Sequence, residues 1–148
     1  MEDLWPDFKE FSPEKTPISI IKEHASKLYE KTDYGILAEV EKYERLRQIP
    51  LFENDKVIGF VTPPFQYNFY IKAQALNYQY KLFKIGHDIY LYPIYFFGID
   101  KDILDELFPN QEGFITIGNE TELLSFLKNI FSAKKTLKII HALISQLS

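Results

Sequence analysis

Residues 65–97 read FQYNFYIKAQALNYQYKLFKIGHDIYLYPIYFF and hold 12 of the 24 aromatic residues of the chain, with only four charged residues among them. Aromatic and β-branched side chains suit a pleated, half-buried surface, so this stretch predicts the sheet. Turn residues divide it into an antiparallel meander of three strands. The strands are predicted over residues 65–74, 78–85 and 89–97.

The first strand of this meander shows the clearest alternation in the chain. Every second residue is apolar, which predicts an inward face made of Phe65, Tyr67, Phe69, Ile71 and Ala73. Pro93 falls inside the third predicted strand and has no N–H to donate to a neighbouring strand. We therefore expect the third strand to lie at an edge of the sheet or to bend at Pro93.

The flanking segments predict further elements. Thr16 and Pro17 are typical of a helix start, and the helical spacing continues to Lys31. Period-two alternation over 35–47 predicts a strand with one wet face. In 48–64, Asn54-Asp55 is a turn signal and residues 57–61 could form a short strand, but Pro63-Pro64 interrupts any ladder, so the segment is interpreted as a connection. The remaining predictions are a short helix ending at Phe108-Pro109, a strand over 113–117, a helix opened by a capping box of Asn119 and Glu122, and a last helix capped by Ser132.

These elements predict the fold class α+β: a two-layer domain, with a mostly antiparallel sheet and helices packed on one face. At 148 residues we expect one domain over 1–148, with an N-terminal arm over 1–15. The arm carries Trp5, Phe8 and Phe11, and we expect these rings to lie against the body because exposing them is costly.

Composition narrows the class of protein. The net charge of −4 argues against a nucleic-acid partner, and no apolar run is long enough for a membrane helix. The acidic start does not resemble a secretion signal, which favours a cytoplasmic location. With no Cys and no cluster of His or carboxylates at ligand spacing, we expect neither a metal nor a cofactor.

Three segments together are similar to a family of bacterial proteins: residues 16–23, residues 69–83 and residues 87–93. The similarity rests on helix and strand residues and touches most of the chain outside 48–64. No activity is assigned to that family, so the resemblance implies no function and no site residues.

Two sets of residues are candidates for chemistry. His87 and Asp88 are adjacent at a strand turn, where they are either a general base with its carboxylate or, as we favour, turn residues. His24 and His141 lie beside apolar helix positions. Their simplest interpretation is a half-buried side chain bonded to a backbone carbonyl, since no ligand spacing links them.

A lysine cluster begins the last helix and opposes the helix dipole there. It consists of Lys134, Lys135 and Lys138. The cluster is either an anion site, a solvated face, or the partner of the acidic region over 98–124.

The surplus of tyrosine predicts an interaction surface. Tyr70, Tyr90 and Tyr92 are candidates for the outer sheet face, since tyrosine is enriched in interfaces. The last helix is apolar over a wide arc, which also indicates a partner. We therefore expect a non-catalytic protein-binding or accessory module, with a protein partner or a homodimer. The alternatives are a small-molecule binder with an apolar pocket between helix and sheet, and an enzyme using His87 and Asp88.

Overall fold

The computed structural model describes residues 2–43, 45–111 and 114–148. Within these ranges the chain forms helices and strands in a fixed order. They are α1 (Pro17–Lys31), β1 (Leu37–Lys42), β2 (Ile49–Glu53), β3 (Lys56–Val61), β4 (Phe65–Ala73), β5 (Tyr78–His87), β6 (Ile94–Phe97), α2 (Lys101–Leu107), β7 (Phe114–Ile117), α3 (Glu120–Phe131) and α4 (Lys134–Leu147).

Five strands pair antiparallel in the order β1-β4-β5-β6-β7. The helices cover one face of this sheet, and the core lies between the two layers. The predicted α+β fold with helices on one face is therefore confirmed. Phe69 is fully buried and stacks on Phe83 at 4.7 Å and on Phe131 of α3 at 5.6 Å between ring centroids. The predicted inward face of β4 is correct for Phe69, Ile71 and Ala73, which lie in the core, and Tyr67 packs against it, whereas Phe65 is half-buried outside the core.

Two helix starts agree with their predicted caps. The Thr16 hydroxyl accepts the Ser19 N–H, and the Asn119 side chain accepts the Glu122 N–H. The predicted Ser132 cap of α4 is wrong, because Ser132 ends α3 and Ala133 precedes α4. A carboxylate from α2 supplies the missing acceptor.

The sequence predicted that 48–64 is a connection, but the structure shows that this segment is not a simple one. It contains the antiparallel hairpin β2-β3, turned by Asn54 and Asp55, which both adopt positive φ. The buried Gln66 side chain ties the base of the hairpin to the sheet face opposite the helices. It accepts the Arg47 N–H at 3.0 Å and donates to the carbonyls of Arg47 at 2.8 Å and Pro63 at 3.0 Å.

The third strand of the meander is shorter than predicted. Residues 88–93 form a bend, and β6 begins at Ile94, directly after Pro93. The strand lies between β5 and β7, so of the two predicted alternatives the edge position does not hold and the bend at Pro93 does. The proline can be accommodated because it precedes the ladder. Of the strand predicted over 35–47, the described residues form β1 over Leu37–Lys42, and Glu44 lies outside the described residues. Gly113 of the strand predicted over 113–117 also lies outside them.

The aromatic side chains of the arm do not lie against the body, which corrects the expectation from the sequence. Leu4, Trp5, Phe8 and Phe11 are exposed by 88, 78, 57 and 70%. The arm makes local turns instead: the Phe11 N–H donates to the Phe8 carbonyl, and the two rings lie 5.5 Å apart.

Candidate ligand-binding cleft

An apolar cleft of about 470 Å³ lies between α1 and α4 over the inner face of the sheet. α1 packs along β1, whereas α4 packs on α2 and α3, so the two helices stand apart above β4 and β5. The floor of the cleft comes from the sheet and α3. Its residues are Ala38, Phe69, Ile71, Leu82 and Phe131.

α4 presents a stripe of apolar side chains to the cleft. Leu137, Ile140 and Ile144 follow one another at spacings of three and four residues, so they share one face of the helix. Leu137 and Ile144 are each 41% exposed. The wide apolar arc of α4 is therefore only partly covered, since its buried positions in this helix are Thr136, Ile139 and Leu143.

The rim of the cleft is basic. Lys27 and Lys31 lie on α1 together with His24, and His141 lies opposite on α4. No Asp or Glu is among the described residues that line the cleft. Two threonines also line it, but their hydroxyls already donate to backbone carbonyls. The side chains left to meet a polar group of a ligand are the four basic ones.

Sequence reasoning missed that His24 and His141 share one site. Neither ring has a hydrogen bond to a carbonyl among the hydrogen bonds of the described chain, contrary to the simplest interpretation. They lie on the first and last helices, so no local spacing relates them. Within residues 2–43, 45–111 and 114–148, no group of three or more His, Asp or Glu side chains is arranged to hold a metal ion.

His87 and Asp88 lie at the end of β5, away from the cleft, and their side chains do not bond to each other. The Asp88 carboxylate accepts the Ile89 N–H at 2.6 Å, which is a turn role. The His87 ring stacks between Phe65 at 5.1 Å and Tyr67 at 5.8 Å, and its Nδ1 lies 2.6 Å from the Asp88 carbonyl oxygen. The geometry gives no general base paired with a carboxylate here.

The three candidate tyrosines do not form one surface. Tyr70 lies on the outer sheet face, where its hydroxyl accepts a hydrogen bond from Asn68 and the Lys72 amine lies 5.4 Å from its ring. Tyr90 and Tyr92 belong to the bend before β6 and line a separate depression of about 180 Å³ with Pro63. Burial raises the pKa of Tyr92, whose hydroxyl has no hydrogen-bond partner among the described residues.

The lysine cluster on α4 meets acidic side chains of α2. The Lys135 amine lies 2.9 Å from the Asp102 carboxylate, and the Glu106 carboxylate accepts the Lys134 N–H at 3.0 Å. Of the three interpretations of the lysine cluster, pairing with the acidic region over 98–124 therefore agrees with the contacts at the start of α4. Lys138 lines a groove on the other side of α4, together with Tyr78.

Lys84 is a perturbed residue that sequence analysis did not single out. It lies on the outer sheet face and is only 9% exposed. Burial, and then the charges of Lys81 and Arg47, lower its pKa to about 8. Its amine lies 5.6 Å from the centre of the Tyr43 ring. An alternation pattern predicts which face of the sheet a residue occupies, but not that residues distant in sequence, such as Tyr43 and Arg47, lie near it there.

Comparison with known proteins adds no functional information. No protein-family model matches the chain, and neither the curated proteins nor the solved structures searched contain a significant match. Across the described parts of the chain, no helix combines the length and the apolar character needed to cross a membrane.

Proposed function

We propose that the protein is a non-catalytic binding protein that takes a small amphipathic anion, such as a medium-chain carboxylate, in the cleft between α1 and α4. The observation that carries the proposal is an apolar cavity with an entirely basic set of charged lining residues. This cavity favours a small-molecule binding protein over the protein-binding module, with its contact on the outer sheet face, that was expected from the sequence.

The size and lining of the cleft support this class of ligand. Small-molecule sites are typically about 300–1,000 Å³, mostly apolar, with a few polar groups that orient the ligand. Ten of the sixteen lining residues are Ala, Leu, Ile or Phe. Each methylene group that leaves water for such a surface contributes about 0.8 kcal/mol before the cost of binding is subtracted.

The charge of the rim supports an anionic head group. Lys27 and Lys31 are one helical turn apart and both exposed, so they reach the same region of solvent at the mouth. None of the salt bridges among the described residues involves either lysine. A carboxylate at the mouth gains two cations, whereas an ammonium group meets repulsion.

Titration calorimetry with submicellar dodecanoate tests the proposal. We expect saturable one-to-one binding, and binding at least tenfold weaker for dodecyltrimethylammonium, which has a similar chain and the opposite charge. Ala38→Phe places a ring in the floor of the cleft and should abolish binding. Lys27→Gln/Lys31→Gln should weaken dodecanoate binding about three- to tenfold, because exposed ion pairs contribute about 0.2–1 kcal/mol each.

Lys22→Gln/Lys128→Gln is the matched control. It removes the same charge from exposed positions on α1 and α3 that do not line the cleft. It should bind dodecanoate like the wild type. Absence of dodecanoate binding, or binding that Ala38→Phe leaves unchanged in a folded protein, would show that the cleft is not the site.

A further inference from the structure

The N-terminal arm is an amphipathic segment whose apolar side chains are left in water. Four large side chains in eight residues are more than half exposed: Leu4, Trp5, Phe8 and Phe11. Leu4, Phe8 and Phe11 are spaced by four and three residues, as on one face of a helix, which is the anchor pattern of segments that dock in grooves. The arm therefore has the form of a ligand for an apolar groove.

The arm and the cleft have opposite charge. Residues 2–15 carry five acids against two lysines, whereas the charged side chains that line the cleft are all basic. The groove on the other side of α4 matches less well, because Lys135 there is already paired with Asp102. The apolar side chains of the arm and its opposite charge both favour the cleft between α1 and α4 as the docking site of the arm.

We infer that the arm of one copy of this chain docks in the α1/α4 cleft of a second copy, so that two chains exchange arms in a dimer. The inference rests on the proposed function, because both place a ligand in the same cleft. The bound arm supplies apolar side chains and carboxylates, which are the chemistry proposed for the small ligand. Ligand and arm then compete for one site.

A second copy fits better than the arm of the same chain. The arm joins α1 at Pro17, where the Thr16 hydroxyl caps the helix and the exposed Lys15 amine lies 2.7 Å from the Glu23 carboxylate. An arm folding back on its own cleft must reverse direction at this junction. Aromatic side chains bury about 150–250 Å² each, so reciprocal exchange covers on the order of 2,000 Å² in total, which is enough for a stable interface.

The test uses the full chain and its single tryptophan, Trp5. Sedimentation and tryptophan emission are followed from 1 to 100 μM. We expect a monomer–dimer transition and a blue shift of the emission over the same concentrations. Phe8→Ser/Phe11→Ser should remain monomeric and lose the shift, whereas Lys9→Arg/Ser12→Ala, a control on exposed arm residues that keeps the charge of the arm, should behave as wild type.

Complementation identifies the two surfaces. Ile144→Asp places a carboxylate in the partly exposed apolar stripe that α4 presents to the cleft but leaves the arm intact, and it should be monomeric alone. Mixed with Phe8→Ser/Phe11→Ser, it should form a heterodimer, because one intact arm meets one intact cleft. A wild type that is monomeric at 100 μM, or a dimer that survives both variants, overturns the inference. A concentration-independent blue shift in a monomer also overturns it, since the arm then docks in its own chain.

Dodecanoate separates this inference from the proposed function. Displacement of the arm by dodecanoate, seen as dissociation and a red shift, supports both. Binding of dodecanoate to a protein that never dimerises overturns the arm exchange alone. If the wild type forms an arm-dependent dimer but the monomeric Phe8→Ser/Phe11→Ser variant, whose cleft has no arm to compete for it, does not bind dodecanoate, the small-molecule function is overturned and the exchange stands.

Discussion

At the scale of single residues, Lys84 couples stability to pH. Its folded-state pKa of about 8 lies below the ordinary 10.5, so the unfolded chain holds the proton more tightly. Stability contributed by this group therefore rises between about pH 8 and 10.5, where the folded protein has released the proton. Below pH 8 the folded state carries a buried charge at a cost.

Lys84→Met should therefore stabilise the protein by roughly 1–3 kcal/mol at pH 7, because it removes the charge and keeps an aliphatic side chain. The measurement is urea unfolding between pH 6.5 and 10. The difference from wild type should shrink as the pH rises. Lys128→Met removes an exposed charge from α3 and should show no such trend. A destabilised Lys84→Met protein at pH 7 would indicate that the charge is satisfied in the fold.

Phe69 and Tyr70 are neighbours with opposite roles in β4. Phe69 is fully buried between Phe83 and Phe131, whereas Tyr70 lies partly exposed on the outer face. Phe69→Ala should cost about 3–5 kcal/mol of unfolding free energy, since it leaves a cavity in the core. Tyr70→Ala should cost far less in the same denaturant melts. The reverse order would contradict the register of β4.

At the scale of elements, the buried Gln66 side chain ties the β2-β3 hairpin to the sheet. Gln66→Leu removes three hydrogen bonds and leaves the buried Pro63 carbonyl and the partly buried backbone groups of Arg47 without their partner. We expect a loss of about 2–4 kcal/mol and faster tryptic cleavage at Lys56, because the hairpin base is released. Gln79→Leu, an exposed change on β5, is the control. Equal cleavage rates would show that other contacts hold the hairpin.

Element prediction from the sequence succeeded where a local rule and the tertiary fold agree. β4 follows from alternation alone, and α1 and α3 follow from their caps. The hairpin was missed because Pro63-Pro64 interrupts strands in general, but here it lies after β3 ends. α4 was capped incorrectly because its acceptor, Glu106, comes from another helix. Glu106 is 28 residues away from Lys134, so the local sequence around the start of α4 cannot indicate this contact.

At the scale of the whole molecule, the candidate site is a product of tertiary arrangement. The sequence predicted that α4 has too much apolar surface, and this excess does line the cleft. It did not predict that His24 and His141 would line the same cleft, because the gap between α1 and α4 depends on how both helices pack on the sheet. The exposure of the arm was also missed, since burial of large rings is the usual outcome.

Binding in the cleft should stabilise the entire fold, because the site is built from α1, the sheet, α3 and α4 and exists only when they are assembled. At a free dodecanoate concentration 100 times its Kd, the free energy of unfolding should rise by about 2.7 kcal/mol. For a chain of this size that corresponds to an increase in Tm of roughly 5–10 °C. Thermal unfolding followed by circular dichroism measures it, and Ala38→Phe should show no increase. Lys22→Gln/Lys128→Gln should show the wild-type increase. If the wild-type Tm stays constant or falls as dodecanoate is added, the ligand does not bind the folded cleft, and its contacts belong to the unfolded chain instead.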